Sequence, residues 1–414
     1  MLTTTELSES EFMAFEQTCA NGCFYQKSWQ RQLLADQGNI TVYLGLRDDT
    51  SLFMAALLVG RKIHFGYRFE VYGGPVFPKD ALTFDRLKTF LECLTTYAYD
   101  HEGLEFSLLP NLDRYVLNDD GEIVTEQNAE LIHMLEVLHY RYTDFTATGY
   151  QKATHANHFV YKKTLSGLTA AELTASYSKA TRYNINKAKE VGVELRQLTF
   201  DELAEFKNNT EATAERLHFK DKPLSYYQSA FQTYGDHVKF MVAELNLPRY
   251  MTRYQDKIDQ NQHQIAELAA KHKAYNDKKI AELERQNANH HQKITQANTF
   301  LEAFGPVLNI AGAMFISQPQ EMDYVFSYTN ETFKAFRGPF LLQDTMMHEA
   351  AAAGIPTYNF LGIAGQFDGN DGVFEFKRGF NGYPTEILGE FTKIIRPAKH
   401  QMLSVFKELK QLVS

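Results

Sequence analysis

Between Pro248 and Phe304 the sequence contains no glycine, no further proline and no strand pattern, only polar helix-forming residues. Few chains of mixed composition can absorb such a run, so it restricts the fold more than any other feature. Two apolar seams alternate spacings of three and four: Ile258, Asn261, Ile265, Leu268, His272 and Tyr275, then Ile280, Leu283, Asn287, His290, Ile294, Ala297 and Leu301. That is coiled-coil spacing, and the register breaks near Asn276-Asp277. One long helix in an oligomeric coiled coil would show the same period. An intramolecular hairpin is expected instead, because α/β sequence resumes directly after Phe304 and both ends must return to one domain. Asparagine and histidine on the seams are costly to bury but fix register.

On either side the periodicity is mixed. Apolar runs bounded by turn residues at Thr41–Leu46, Leu52–Gly60, Glu105–Leu109, Ala311–Ser317, Asp323–Tyr328, Thr357–Leu361 and Val373–Phe376 read as strands. Helices are expected over Ser28–Asp36, Leu82–His101, Ala170–Val191, Leu342–Ala353 and Lys399–Leu412. With 414 residues, 44% hydrophobic and 13% aromatic, there is material for two cores. The organisation predicted is a first α/β unit of residues 1–150 closed by 398–414, and a second of 151–247 and 305–397, with the hairpin 248–304 inserted in the second.

Composition excludes several classes. No apolar run reaches the roughly 20 residues of a membrane span, and the start Met1-Leu2-Thr3-Thr4-Thr5-Glu6 lacks the basic and apolar parts of a signal peptide, so a cytoplasmic protein is expected. Cys19, Cys23 and Cys93 make neither an even disulfide framework nor a zinc spacing and read as core or half-buried thiols; no metal site is expected. A net charge of −9 confines any RNA contact to a local patch. There is no P-loop, nucleophile elbow, H-E-x-x-H or Rossmann glycine triplet, nor the turn with which acetyltransferases hold the coenzyme A pyrophosphate.

What remains is a dense passage from Tyr358-Asn-Phe-Leu-Gly362 through Gly372-Val-Phe-Glu-Phe-Lys-Arg-Gly-Phe380, read as an aromatic-lined strand ending in Lys377-Arg378. Phe376-Lys377-Arg378-Gly379-Phe380, with Leu388-Gly389-Glu390-Phe391 after it, resembles the F-K-K-G-[FY] signature of the Fem aminoacyltransferases of peptidoglycan bridges. The likeness spans nearly the whole chain. Gly74-Pro75-Val76 resembles the family's R-G-P-[VI] strand end, with Gly73 in place of arginine. Leu117-Asn-Asp-Asp-Gly-Glu-Ile123 resembles a loop of the FemA branch, and Arg182 to Val193 resembles R-x-N-x-K-K-A-x-K-x-G-V. Leu342-Gln343-Asp344-Thr345-Met346 is similar to L-x-Q-W-E-M, with Asp344-Thr345 replacing W-E.

The resemblance implies two acetyltransferase-like (GNAT) domains, aminoacyl-tRNA as donor with no separate cofactor, and lipid II or a related peptidoglycan precursor as acceptor. It also implies peripheral contact at the inner face of the membrane and association with a second copy or related transferases. It assigns the precursor's pyrophosphate to Lys27, in Lys27-Ser28-Trp29, and to Lys222, in Lys222-Pro-Leu-Ser-Tyr226. In the family the second position is arginine; lysine binds phosphate as a point charge, and Lys220 or Arg216 is a candidate to share the task. Trp29, Tyr226 and Tyr328 are implied precursor contacts. Lys377, beside Phe376, matches the lysine thought to stabilise the transition state.

Elementary chemistry runs parallel. Moving an acyl group from an ester to an amine needs a neutral amine and positive charge where the carbonyl becomes an oxyanion, and a lysine held against aromatic rings supplies such charge. Taken without its context, Lys377 reads equally as a surface lysine, Lys27 and Lys222 as solvated cations, and Trp29 as core. Lys179, Arg182 and Lys189 line one helix face that suits an RNA backbone or simply water. Two other functions fit less of the sequence: a tRNA-dependent transferase acting on protein N-termini, and a non-catalytic adaptor working through its hairpin.

Overall fold

The computed structural model describes residues 2–143, 158–217, 220–271 and 274–413; the expected unit boundary at 150 and the seam residue His272 lie outside the described residues. The strands in chain order are β1 (Thr3–Glu6), β2 (Ile40–Arg47), β3 (Leu52–Ile63), β4 (Gly66–Tyr72), β5 (Gly103–Leu109), β6 (Asp113–Leu117), β7 (Ile123–Glu126) and β8 (Arg141–Thr143). They continue as β9 (Phe159–Thr164), β10 (Val193–Gln197), β11 (Val238–Asn246), β12 (Val307–Ser317), β13 (Glu321–Thr329), β14 (Thr357–Ile363), β15 (Tyr383–Ile387) and β16 (Glu390–Ile394).

They form two sheets, ordered β1-β2-β3-β4-β5-β16-β8 and β10-β11-β12-β13-β14-β9-β15-β6-β7. Among the described residues each contains a single parallel pair, β4 with β5 and β13 with β14; every other pairing is antiparallel. Parallel neighbours need a crossover. Helix Phe84–Asp100 supplies it in the first sheet and helix Gly338–Ala352 in the second. The same three-part unit therefore occurs twice.

Strand membership crosses the limits expected from the sequence. β6 and β7, placed in the first unit, extend the second sheet through β15, while β16, placed in the second, lies between β5 and β8 of the first. The chain therefore crosses from one sheet to the other at β5–β6, at β7–β8 and again at β15–β16. The final helix, Pro397–Val413, returns to the first sheet, where His400 Nε2 lies 3.1 Å from Glu105 Oε2 on β5.

Both sheets carry helices on both faces. Leu87, Phe90, Leu91 and Leu94 cover one side of the first sheet and Phe12 and Leu34 the other. On the second sheet, one core takes helices Lys179–Val191, Gly338–Ala352 and Gly372–Arg378; the opposite core takes Leu203–Leu217 and Leu224–Tyr234 together with Trp29 and Leu33 from helix Ser28–Asp36. The first unit thus docks on the second sheet through Trp29.

The hairpin is antiparallel: helix Leu247–Ala270, a short turn, then Asp277–Phe304. It leaves from β11 and returns to β12, which are hydrogen-bonded neighbours, with Asn246 opposite Val307. Ile258, Leu283, Asn287 and Ala297 are buried on the seam, and Asn261 donates to Asn287 across it at 2.9 Å. That bond offsets the desolvation that makes buried amides costly. Tyr275 leaves the seam: it is exposed in the turn.

Two local expectations change. The stretch Ala170–Val191 is two helices, Ala170–Ser176 and Lys179–Val191, because Tyr177 is extended and Ser178 caps a new helix, accepting from Thr181 N. Val373–Phe376 is not a strand but the middle of helix Gly372–Arg378. Its β-branched and aromatic residues, Val373, Phe374 and Phe376, mimic a strand, yet Asp371 accepts from Val373 N at 2.8 Å and Phe374 N at 3.1 Å, which starts a helix.

Candidate active site at the opening of the second sheet

The two parallel pairs differ in one respect. β4 and β5 stay paired along their length, from Tyr67 opposite Gly103 to Tyr72 opposite Leu109. β13 and β14 pair only over Glu321–Asp323 and Thr357–Asn359. Beyond that point β13 continues against β12 and β14 against β9, so the two strands diverge. Diverging strands release backbone donors and acceptors from the β13–β14 ladder.

Bulges shape both edges of the opening. On β14 the register shifts between Asn359 and Gly362, and Leu361 takes φ +55°, uncommon for a branched side chain, while Asn359 Oδ1 accepts from Leu361 N at 2.9 Å. The carbonyls concerned are those of Leu361, inside the shift, and Gly362, where pairing with β9 resumes. Lys377 Nζ donates to both, at 3.2 and 2.5 Å. On β13 the shift falls between the partners of Met314 and Phe315, so Val325 is the extra residue. One inserted residue reverses the facing of the rest of the strand. Tyr324 packs with the core that holds Phe374, whereas Phe326 and Tyr328 pack with Trp29 and Tyr226 on the other side.

Lys377 is set by its helix. Asp371 caps that helix and also accepts from Ala364 N at 2.8 Å, fastening it to the end of β14. The lysine occupies the last turn, where cations suit the helix dipole. It is buried, 4% exposed. Burial pulls its ammonium down to about 7, against a smaller opposing pull from Asp371. Phe376 is half-buried, edge-on to Phe340 at 5.0 Å and to Phe380 at 5.5 Å. Buried on two backbone carbonyls, the ammonium in its protonated form is equipped to meet developing negative charge.

The other predicted residues divide into groups. Trp29, Tyr226 and Tyr328 come together in one core on the far face of the opening. Trp29 is 7% exposed, 4.3 Å from the Tyr234 ring, so it is part of the docking core. Tyr328 is buried and donates to Asn309 Oδ1 at 2.7 Å. Its ring lies where a Cβ on Gly312 would sit, 2.4 Å away, so only glycine lets β12 pass beneath it. Lys222 is exposed, its Nζ 5.4 Å from the centre of the Tyr226 ring. Sequence reasoning missed Asp221, which accepts from Lys222 N, Tyr227 Oη, Thr210 Oγ1 and Lys207 Nζ and so fixes the loop presenting Lys222. Lys220 is exposed, and Arg216 lies 3.5 Å from Glu331 on the surface.

Lys27 departs most from expectation. It is 2% exposed and forms a buried ion pair with Glu16, with Gln320 Oε1 at 3.3 Å. Burial raises the Glu16 carboxyl against the pull of Lys27. Gln320, in the turn between β12 and β13, also donates to the carbonyls of Glu16 and Cys19. Lys27 therefore joins the first unit to the β12–β13 turn, at the paired end of β13 and β14. The supposed RNA stripe is also partly committed: Arg182 donates to Ala175 O at 2.7 Å and Lys189 to Asp344 at 2.8 Å, while Lys179 is exposed. The thiols of Cys19 and Cys23 are buried and that of Cys93 half-buried, with Cys19 pushed up to about 12 by burial.

The sequence matches the model of the FemAB family across residues 7–408. The chain belongs to the FemAB family. It is 28% identical over 413 residues to aminoacyltransferase FemB of Staphylococcus epidermidis, covering 98% of each chain, and 28% identical over 422 residues to aminoacyltransferase FemA of the same species, covering 99% of each. Among solved structures, that of FemX aligns with a TM-score of 0.79 over 97% of this chain and 99% of the other, at 17% identity. A tandem GNAT protein from the clavulanic acid pathway aligns at 0.50 over 95% and 99%, at 7% identity. The fold is accordingly a GNAT-like tandem, and the enzyme is an aminoacyltransferase of this FemAB type.

Two departures from the Fem pattern have local causes. Gly73 has φ +77°, and a Cβ there would lie 2.3 Å from Cys23 Sγ, so the arginine seen elsewhere has no room. Asp344 is buried and answers Lys189, with His348 Nε2 3.3 Å away. It does the work of an internal counter-charge.

Proposed function

We propose that this FemAB protein transfers glycine, alanine or serine from aminoacyl-tRNA to the stem-peptide lysine, or to the growing bridge, of lipid II. The observation that carries the reading is the position of Lys377: buried, at the one parallel pair that opens, with its ammonium on the carbonyls of a bulge. In this account the acceptor amine attacks the ester carbonyl, and a C–N bond forms as the C–O bond to the tRNA ribose breaks. The oxyanion between those events takes a hydrogen bond from Lys377. The proton lost by the amine leaves on the ribose hydroxyl, so no protein base and no cofactor are invoked. Phe376 keeps the site dry. Lys222, steadied by Asp221 and set over Tyr226, meets the precursor's phosphates, with Lys220 and Arg216 nearby in sequence. A lipid-linked acceptor places the working enzyme at the inner face of the membrane.

Lys222→Ala is expected to raise the KM for the precursor several-fold at low salt, with kcat and the unfolding midpoint unchanged, since the side chain is exposed. Initial-rate kinetics check this.

Purified protein supplied with charged tRNA and lipid II tests the reading, with mass spectrometry of the acceptor as readout. Gain of one aminoacyl residue is expected. Gain on a peptide N-terminus instead would favour the protein-modifying transferase, and no product with any donor would leave only the adaptor.

A further inference from the structure

Among the described residues, exposed large apolar side chains gather at one end of the first sheet. Phe65 in the β3–β4 turn is 45% exposed; on the last helix Met402 is 55%, Val405 50% and Phe406 37% exposed. They are contiguous, with the Phe65 and Phe406 rings 6.1 Å apart and His64 4.4 Å from Phe406, and with Ala398 and Gln401 they line an open groove of about 460 Å³. The exposed Lys62 precedes the turn, and the exposed Lys399 lies three and seven residues before Met402 and Phe406, on the same helical face. Glu105, the acid that this helix meets through His400, is also occupied by Arg68. In a chain of net charge −9, Lys62 and Lys399 stand beside this apolar patch, with the exposed Glu102 also at this end, next to Gly66.

We infer that this surface docks the enzyme on an anionic lipid bilayer. An apolar helical face flanked by lysines is suited to the boundary between headgroups and acyl chains, where each cation near the surface adds about 1 kcal/mol. A second copy is a poorer occupant. Half-exposed side chains of this kind present on the order of 300 Å², against about 800 Å² per partner in stable interfaces. Binding of this strength is reversible, which an enzyme visiting many precursors requires. The inference draws its purpose from the lipid-linked acceptor proposed above.

Flotation of the full chain with phosphatidylcholine vesicles, with and without phosphatidylglycerol, tests it. Binding is expected only with phosphatidylglycerol, falling several-fold at high salt and at least tenfold in the triple variant F65S/M402S/V405S; K62E/K399E weakens it similarly. The triple variant should retain wild-type transfer to an acceptor lacking the lipid tail and lose transfer to vesicle-borne acceptor. Equal flotation of variant and wild type, or no flotation of wild type, overturns the inference, as does a wild-type dimer in sedimentation velocity that the triple variant abolishes. Failure of the functional reading would look different: no transfer to either acceptor, whatever the flotation result.

Discussion

Lys377→Met is expected to lower turnover by about 10²–10³ while leaving the affinity for the precursor within about twofold, because the group removed acts on charge that exists only in the transition state. The methionine keeps most of the buried volume, so the effect is chemical and not a collapse of the helix, whose cap at Asp371 is untouched. Equal loss of rate and affinity would make Lys377 a binding residue. The pH profile gives an independent reading. Burial lowers the ammonium to about 7, so its protonated fraction falls as pH rises through that value. The acceptor amine titrates in the opposite sense, becoming reactive as pH rises. The product is a bell in kcat/KM whose alkaline limb belongs to Lys377. Lys377→Arg, which stays protonated, should move that limb upward by more than a unit even where the larger guanidinium lowers the maximum. A limb that does not move assigns the titration elsewhere.

Lys27→Ala is expected to destabilise the protein by about 3–5 kcal/mol, since it strands the fully buried Glu16 carboxylate without its partner. Denaturant unfolding measures the loss. Lys27→Met combined with Glu16→Gln should recover most of it, because neither side chain then carries a buried charge. Were Lys27 instead a pyrophosphate ligand, the single substitution would cost precursor affinity and spare stability, and the double variant would rescue nothing. The placement of Gln320 between Glu16, Cys19 and Lys27 argues for the structural outcome.

The helical hairpin was legible because its cause is local: a 3.5-residue period, absence of breakers, and a register change at Asn276 appear directly in the sequence. Ser28–Asp36 and the strand Ile40–Arg47 were readable for the same reason. Exchange of β6, β7 and β16 between sheets was not, because strand partners are chosen by tertiary contact and these three strands are short and mostly unburied, with β7 exposed along its length. The F-K-R-G-F passage pointed to Lys377, but its setting on a helix was hidden by V-F-E-F; Asp371-Gly372 before it was a cap signal that outweighs those residue types. The carbonyls of Leu361 and Gly362, which hold the lysine, leave no trace in residue type at all. Lys27 carried the same motif whether it faced a ligand or Glu16, and only packing distinguishes the two.

The most direct measurement is mass spectrometry of cell-wall peptides from cells with the protein, without it, and with Lys377→Met in its place. The account predicts bridges short of one or more residues in the cells lacking the protein, restored by the wild-type chain and not by the methionine variant. Bridges of unchanged mass without the protein, or full restoration by Lys377→Met, would contradict it.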